Sequence, residues 1–266
     1  MQNDKRFLVD VGLNDLDYPI NALSQMNPEG QRTIARISIH SKIEEKFESG
    51  WINKFIEILH RHRDIIGPLT LRKNIKTYYE ELNAKMVRID FAYPFFIEKK
   101  TPASSQLNLV KYKCTYSSKM STTIEPKTIF KIEVPVITTV PESVKMNPGS
   151  YAGQLSIISV VLESYREVYP ETIVNLVESK AISSLYTYLT EDDQNWITRK
   201  IQNTNKTNIV LLDEIHNDLE GNEYILWHSV SCTNHNPLQS FSTIMTTERN
   251  VWGSRSDVDE IGYLNF

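Results

Sequence analysis

The chain has 266 residues, enough for one large domain or two small ones, and its 40% hydrophobic and 23% charged residues are globular rather than disordered in type. With 29 basic and 33 acidic residues the net charge is −4, which argues against nucleic acid or an anionic membrane as a partner. Two cysteines, Cys114 and Cys232, are too few for a disulfide framework or a four-cysteine zinc site. The start of the sequence is polar, without the apolar core of a signal peptide, and no apolar run is long enough to span a bilayer. A cytoplasmic protein is the expectation.

Thr33–His40, with Ile34, Ala35, Ile37 and Ile39, predicts the first strand. Ser49 stands where a cap is needed for a helix over Trp51–His62, whose Ile52, Phe55, Ile56 and Leu59 have helical spacing. Gly67 and Pro68 interrupt, and a second helix is predicted over Leu71–Leu82. Two strands follow. Val87, Ile89, Phe91 and Tyr93 alternate with polar or small residues, and so do Val110, Tyr112, Cys114 and Tyr116. Residues 102–105, Pro-Ala-Ser-Ser, connect them. In the second half, Phe130, Ile132, Val134 and Val136 mark a strand and Leu155–Leu162 another. Helices are predicted near Glu171–Lys180 and over Thr207–Leu219, the latter with Gly221 at its C-terminal cap. Glu223–Cys232 and Ser242–Thr247 read as the last strands. Each half thus runs strands, helices, strands, which predicts an α+β fold with antiparallel sheets.

General motifs are few. There is no phosphate-cradling glycine loop, no H-E-x-x-H, no C-x-x-C and no nucleophile elbow. His60 and His62 are two apart on a helix and so point to different faces. Cys232 and His235 are close enough in sequence to be half of a metal site. Cys114 falls on the apolar face of its strand and reads as core.

Taken in blocks, the sequence resembles the type IB GTP cyclohydrolases over roughly residues 8–250. Leu8–Ile20 is similar to the family's opening V-G-V-x-x-L-R-Y-P-I, and Met86–Pro102 to its A-R-I-x-x-x-F-P-Y-F-x-x-K-x-A-P. Residues 48–57 lie over K-G-T-H-M-S-R-F-V-E. Ser183–Thr198 resembles the helix segment S-x-x-L-Y-x-L-L-K-R-P-D-E-x-x-V-T, and Trp227–Arg249 the final block, ending on the Glu248-Arg249 pair. The resemblance implies a tunnelling fold of antiparallel sheet with helices packed on one face. It further implies two fused modules, 1–125 and 126–250, and an oligomeric barrel, a homo-oligomer that is most simply a tetramer. Residues 251–266 extend past it, and their Trp252, Ile261, Tyr263 and Phe266 predict docking on the body or a neighbouring subunit.

The family opens the imidazole ring of GTP, with a zinc-bound water as nucleophile. Its zinc cysteine lies in P-V-T-S-L-C-P-C-S-K, where this chain has Val140 and Glu142 in place of the two cysteines. Tyr151 replaces the histidine of G-A-H-N-Q-R-S. In F-E-S-I-H-N-H, Asn236 replaces the glutamate, and Gln239 and Phe241 the two histidines. The resemblance therefore implies a purine or pterin substrate but no resident zinc and no other cofactor. A relocated metal at Cys232 and His235 is the alternative. Glu142, Tyr151, Asn236 and Gln239 are the expected catalytic residues, with Glu142 as base and Tyr151 as acid. Gln154, Asn234, His235, Glu248 and Arg249 are the expected substrate contacts, Glu248 being the ring anchor. Three functions stay open: a divergent enzyme acting on GTP or a related heterocycle in a specialised pathway, a non-catalytic binding paralogue, or a true cyclohydrolase with relocated ligands.

Overall fold

A computed structural model describes residues 8–44, 50–64, 66–139, 153–204, 206–235 and 242–248. In the first half β1 (Leu8–Ala22) and β2 (Gln31–Glu44) precede helices α1 (Trp51–Arg61) and α2 (Pro68–Glu81), and β3 (Ala84–Lys100) and β4 (Leu107–Ser121) follow. In the second, β5 (Lys127–Thr139) and β6 (Gly153–Ser164) precede α3 (Pro170–Lys180), the two-residue β7 (Ser183–Ser184), α4 (Glu191–Gln202) and α5 (Asn208–Glu220). β8 (Ile225–His235) and β9 (Ser242–Glu248) end it. Among the described residues these strands form one sheet in the order β1-β2-β3-β4-β5-β6-β8-β9, with β7 beside β5. All of the strand pairs are antiparallel.

Strand alternation puts one row of side chains against the helices. Ile37, Phe91, Tyr116, Phe130, Leu162 and His228 lie side by side across six strands. Tyr93, Cys114, Ile132, Val160 and Val230 form the adjoining row. Side chains of both rows are buried, Cys114 completely, as its place on the apolar face predicts. Tyr116 stacks between Tyr93 and Phe130, with ring centroids 5.7 and 4.8 Å away. The helices cover this face: Phe55, Ile58 and Leu59 of α1, Leu71, Ile75 and Tyr78 of α2, Ile173, Val174 and Val177 of α3, and Leu211 and Ile215 of α5 join the same core. Such burial of aromatic and branched side chains is the main force holding helices to sheet, at about 25 cal/mol per Å² of apolar surface. A second, smaller cluster of Ile182, Ile197 and Ile201 packs with Ile137.

The structure differs from the sequence-based expectation at four places. A strand, β1, precedes Thr33. Its Asn14, Asp15 and Asp17 suppress the strand signal; Asn14 and Asp15 form a bulge between Leu13 and Leu16, where Asp15 has φ 58°. The cap of α1 is Gly50, at φ 89°, while Ser49 lies outside the described residues. α2 starts three residues earlier than predicted, because Pro68 occupies its first turn, where the missing N–H costs nothing. Of the segment 183–198, only the part from Glu191 is helical. That start is fixed by a capping box in which Thr190 accepts from the Asp193 N–H and Asp193 from the Thr190 N–H. The tail 251–266 lies outside the described residues.

Candidate active site

Near one end of β5, β6 and β8 the helix-covered face turns from apolar to polar. Val134 and Val136 give way to Thr138, Ile158 to Ser156 and Gln154, and Cys232 to Asn234. Thr138, Ser156 and Asn234 are nonetheless buried, as is Asn208 at the start of α5. They form one network. Ser156 donates to Asn234 Oδ1 at 2.7 Å, and Thr138 lies 2.7 Å from the Ser156 hydroxyl. Asn208 Nδ2 and the Cys232 thiol also donate to Asn234 Oδ1, at 2.9 and 3.2 Å. Asn234 Nδ2 donates to Thr243 of β9 at 3.2 Å. Alongside, the Thr139 hydroxyl holds the Lys206 carbonyl at 2.6 Å, fixing the approach to α5.

At this end two buried acceptors, Gln154 Oε1 and Asn208 Oδ1, have no hydrogen-bond partner among the described residues. Buried oxygens of this kind are nearly always satisfied by something, and the N–H groups of a heterocycle are suitable donors. The network itself carries no base. Its hydroxyls and amides are neutral, and burial pushes the Cys232 thiol up to about 11 despite the Ser156 hydroxyl beside it. Zinc requires thiolate, imidazole or carboxylate ligands. The described network offers a single such group, the Cys232 thiol, among neutral hydroxyls and amides, which is fewer ligands than a zinc site takes.

The structure places the predicted residues unevenly. Gln154 and Asn234 stand together at this end, and His235 continues β8, paired through its backbone with Leu155 and Ser242. Thr139 pairs with Gly153 and His235 with Ser242 at this end. Glu142, Tyr151, Asn236 and Gln239 lie outside the described residues, as does Arg249. Glu248 is not brought here. It pairs with Ser229, whereas Asn234 pairs with Thr243. Five residues of strand, about 16 Å, separate the two positions. Thr138, Ser156, Asn208 and Thr243 were not among the expected site residues. Their signal was present for Thr138 and Ser156, as hydroxyls at positions where the strand pattern calls for an apolar residue.

Comparison with known proteins places this geometry. A family model described as type I GTP cyclohydrolase folE2 matches residues 2–243. A protein named GTP cyclohydrolase FolE2 from Geotalea uraniireducens is 30% identical over 240 residues, 90% of this chain and 87% of the relative. The protein of the same name from Pelobacter propionicus is 26% identical over 242 residues, 90% of this chain and 91% of the relative. Among solved structures, a uricase from Bacillus fastidious superposes with a TM-score of 0.56 at 9% identity, over 91% of this chain and 93% of the uricase. The uricase from Arthrobacter globiformis gives 0.51 at 9% identity, over 94% and 96%. The uricase likeness shows a shared tunnelling fold alone, whereas the family match extends across both halves and every described strand but the last few residues of β9: this chain belongs to the type I GTP cyclohydrolase FolE2 family.

Proposed function

We propose that this protein is an enzyme that acts on GTP, or a closely related purine or pterin, and opens the heterocycle by hydrolysis at the polar end of β5, β6 and β8. Family membership over residues 2–243 supports the substrate class. The observation that carries the location is the pair of unpartnered buried acceptors, Gln154 Oε1 and Asn208 Oδ1, beside the Asn234 network. In this reading Gln154, Asn208 and Asn234 orient the ring through its polar edges. Glu142 takes a proton from the attacking water and Tyr151 supplies one to the departing ring nitrogen, so that a C–O bond forms as the C–N bond breaks. Asn236, Gln239 and His235 complete the lining. The replacement of the family's cysteine, histidine and glutamate positions by Val140, Glu142, Tyr151, Asn236, Gln239 and Phe241 supports a reaction that does not run through the family's zinc. The same reading takes residues 1–125 and 126–250 as two modules of one subunit, and a homo-oligomer as the working form.

Incubation with GTP and related purines, followed by mass spectrometry, is the test. The expected outcome is consumption of one of them with gain of water, reduced about 10²- to 10⁴-fold in Glu142→Gln with the fold intact. No consumption at stoichiometric enzyme refutes the proposal. Tight nucleotide binding without turnover would identify a binding paralogue instead. Turnover abolished by a chelator and restored by zinc would identify relocated metal ligands.

A further inference from the structure

At the other end of β8, the buried row Ile37-Phe91-Tyr116-Phe130-Leu162 ends on a histidine, His228, with no exposed surface. An imidazole is an unusual continuation of an apolar row beneath a helix. The helix above it, α5, presents a second histidine. His216 Nδ1 lies 3.0 Å from His228 Nε2, and the two rings are 4.7 Å apart between centroids. One turn further along α5, Glu220 Oε2 lies 3.3 Å from His216 Nε2. Thr247 of β9 brings its hydroxyl to 3.3 Å from His216 Nδ1. One ligand atom from each of His216, Glu220 and His228 falls within a span of 4.8 Å.

We infer that His216, His228 and Glu220 form a binding site for a borderline divalent metal ion, zinc being the natural occupant. Two nitrogens bound to one tetrahedral zinc at about 2.0–2.1 Å stand about 3.3 Å apart, close to the 3.0 Å seen here. With no metal, two neutral imidazoles at that distance share one proton. When the ion binds, the donating ring carries its proton on its other nitrogen instead, so both rings stay neutral and the two lone pairs converge on the metal. Glu220 now meets the other nitrogen of His216, Nε2, and its 45% exposed side chain has room to turn and add a carboxylate to the ion. Two imidazoles and one carboxylate select zinc, cobalt, nickel or copper over magnesium or calcium. Three protein ligands leave a fourth position for water. The ion would fasten α5 to β8, which otherwise meet here through the His216–His228 contact and side-chain packing.

This site is distinct from the polar end described above. His228 and Asn234 are six residues apart on one strand, about 20 Å, and the inference does not depend on the purine reading. Chelator-treated full-length protein is titrated with Zn²⁺ alone by calorimetry and followed by thermal melting, beside His216→Ala, His228→Gln and Glu220→Gln. His216 is partly exposed, at 20%, whereas His228 is fully buried, so the His216 variant disturbs the core less. The expected result is one more equivalent of zinc bound by the parent than by His216→Ala. Glu220→Gln should weaken binding about 10- to 100-fold. The parent's melting temperature should rise by roughly 5 °C at zinc a hundred-fold above its dissociation constant, a rise His216→Ala should lack. Equal zinc stoichiometry in parent and His216→Ala, or no zinc bound by either, overturns the inference.

Discussion

Replacing Asn234 by alanine tests whether the polar end is a finished network or a loose collection of polar residues. The carboxamide oxygen accepts from three donors and its nitrogen serves one acceptor. The donors are not equally dependent on it. Ser156 can turn to Thr138, 2.7 Å away, and a thiol is a weak donor. Asn208 Nδ2 has no second acceptor among the described residues, and at 6% exposure it has little access to water. Orphaning one buried amide donor costs about 1–3 kcal/mol. The cavity left by the carboxamide adds to this, so the change should cost about 2–4 kcal/mol in all. Equilibrium urea denaturation followed by tryptophan fluorescence reads that loss directly. Asn234→Asp keeps the acceptors but buries a charge, and should be no better tolerated. A loss below about 0.5 kcal/mol for Asn234→Ala, the range of ordinary surface changes, would show that the network is not tightly satisfied and would refute the argument that it positions anything.

Two further predictions concern the frame around that end. Burial alone would raise the Asp193 carboxyl, but hydrogen bonds from Ser104, Thr190 and Ala103 outweigh it and hold the group well below the usual carboxylate range. A depressed folded-state value gives stability that is present above about pH 4 and is lost as the pH falls further. Melting curves from pH 7 to pH 3 should therefore fall more steeply for the parent than for Asp193→Asn; parallel curves would contradict the assignment. A Cβ at Gly153 would stand 2.9 Å from Ile201 Cδ1 and 3.0 Å from Ile137 Cγ2. Gly153→Val should push α4 off its seat and lower stability by about 1–3 kcal/mol, seen as a drop of several degrees in the melting temperature.

Much of the fold was legible because alternation and helical spacing are strong where the apolar residues are dense. Tyr93, Cys114 and Ile132, each expected from period on the apolar side of its own strand, prove to be register neighbours. Signals failed where other physics took over. β1 is written in aspartates and asparagines that tolerate its bulge, and α4 is polar on most sides, its start set by the Thr190–Asp193 box rather than by an apolar stripe. The candidate site was legible only in part. Gln154 and Asn234 were found through resemblance, and they stand together. Asn208 was invisible because nothing in the sequence says that α5 begins over β8. The His216–His228 contact was hidden for the same reason: the residues are 12 apart in sequence, and only the fold of helix onto strand brings the rings together.

The seam between the two halves has a mechanical consequence. β4 and β5 are joined in register from Lys113 opposite Glu133 to Lys119 opposite Lys127, so the second half continues the sheet of the first without a hinge. Tyr116 and Phe130, one from each half, stack across that seam in the centre of the core. Rotating one half against the other would break a hydrogen-bonded ladder and open this aromatic stack together. Entry of a ligand to the polar end of β5, β6 and β8 therefore cannot be governed by the halves closing like jaws. The second half alone carries that end, on a sheet that the first half extends without a break.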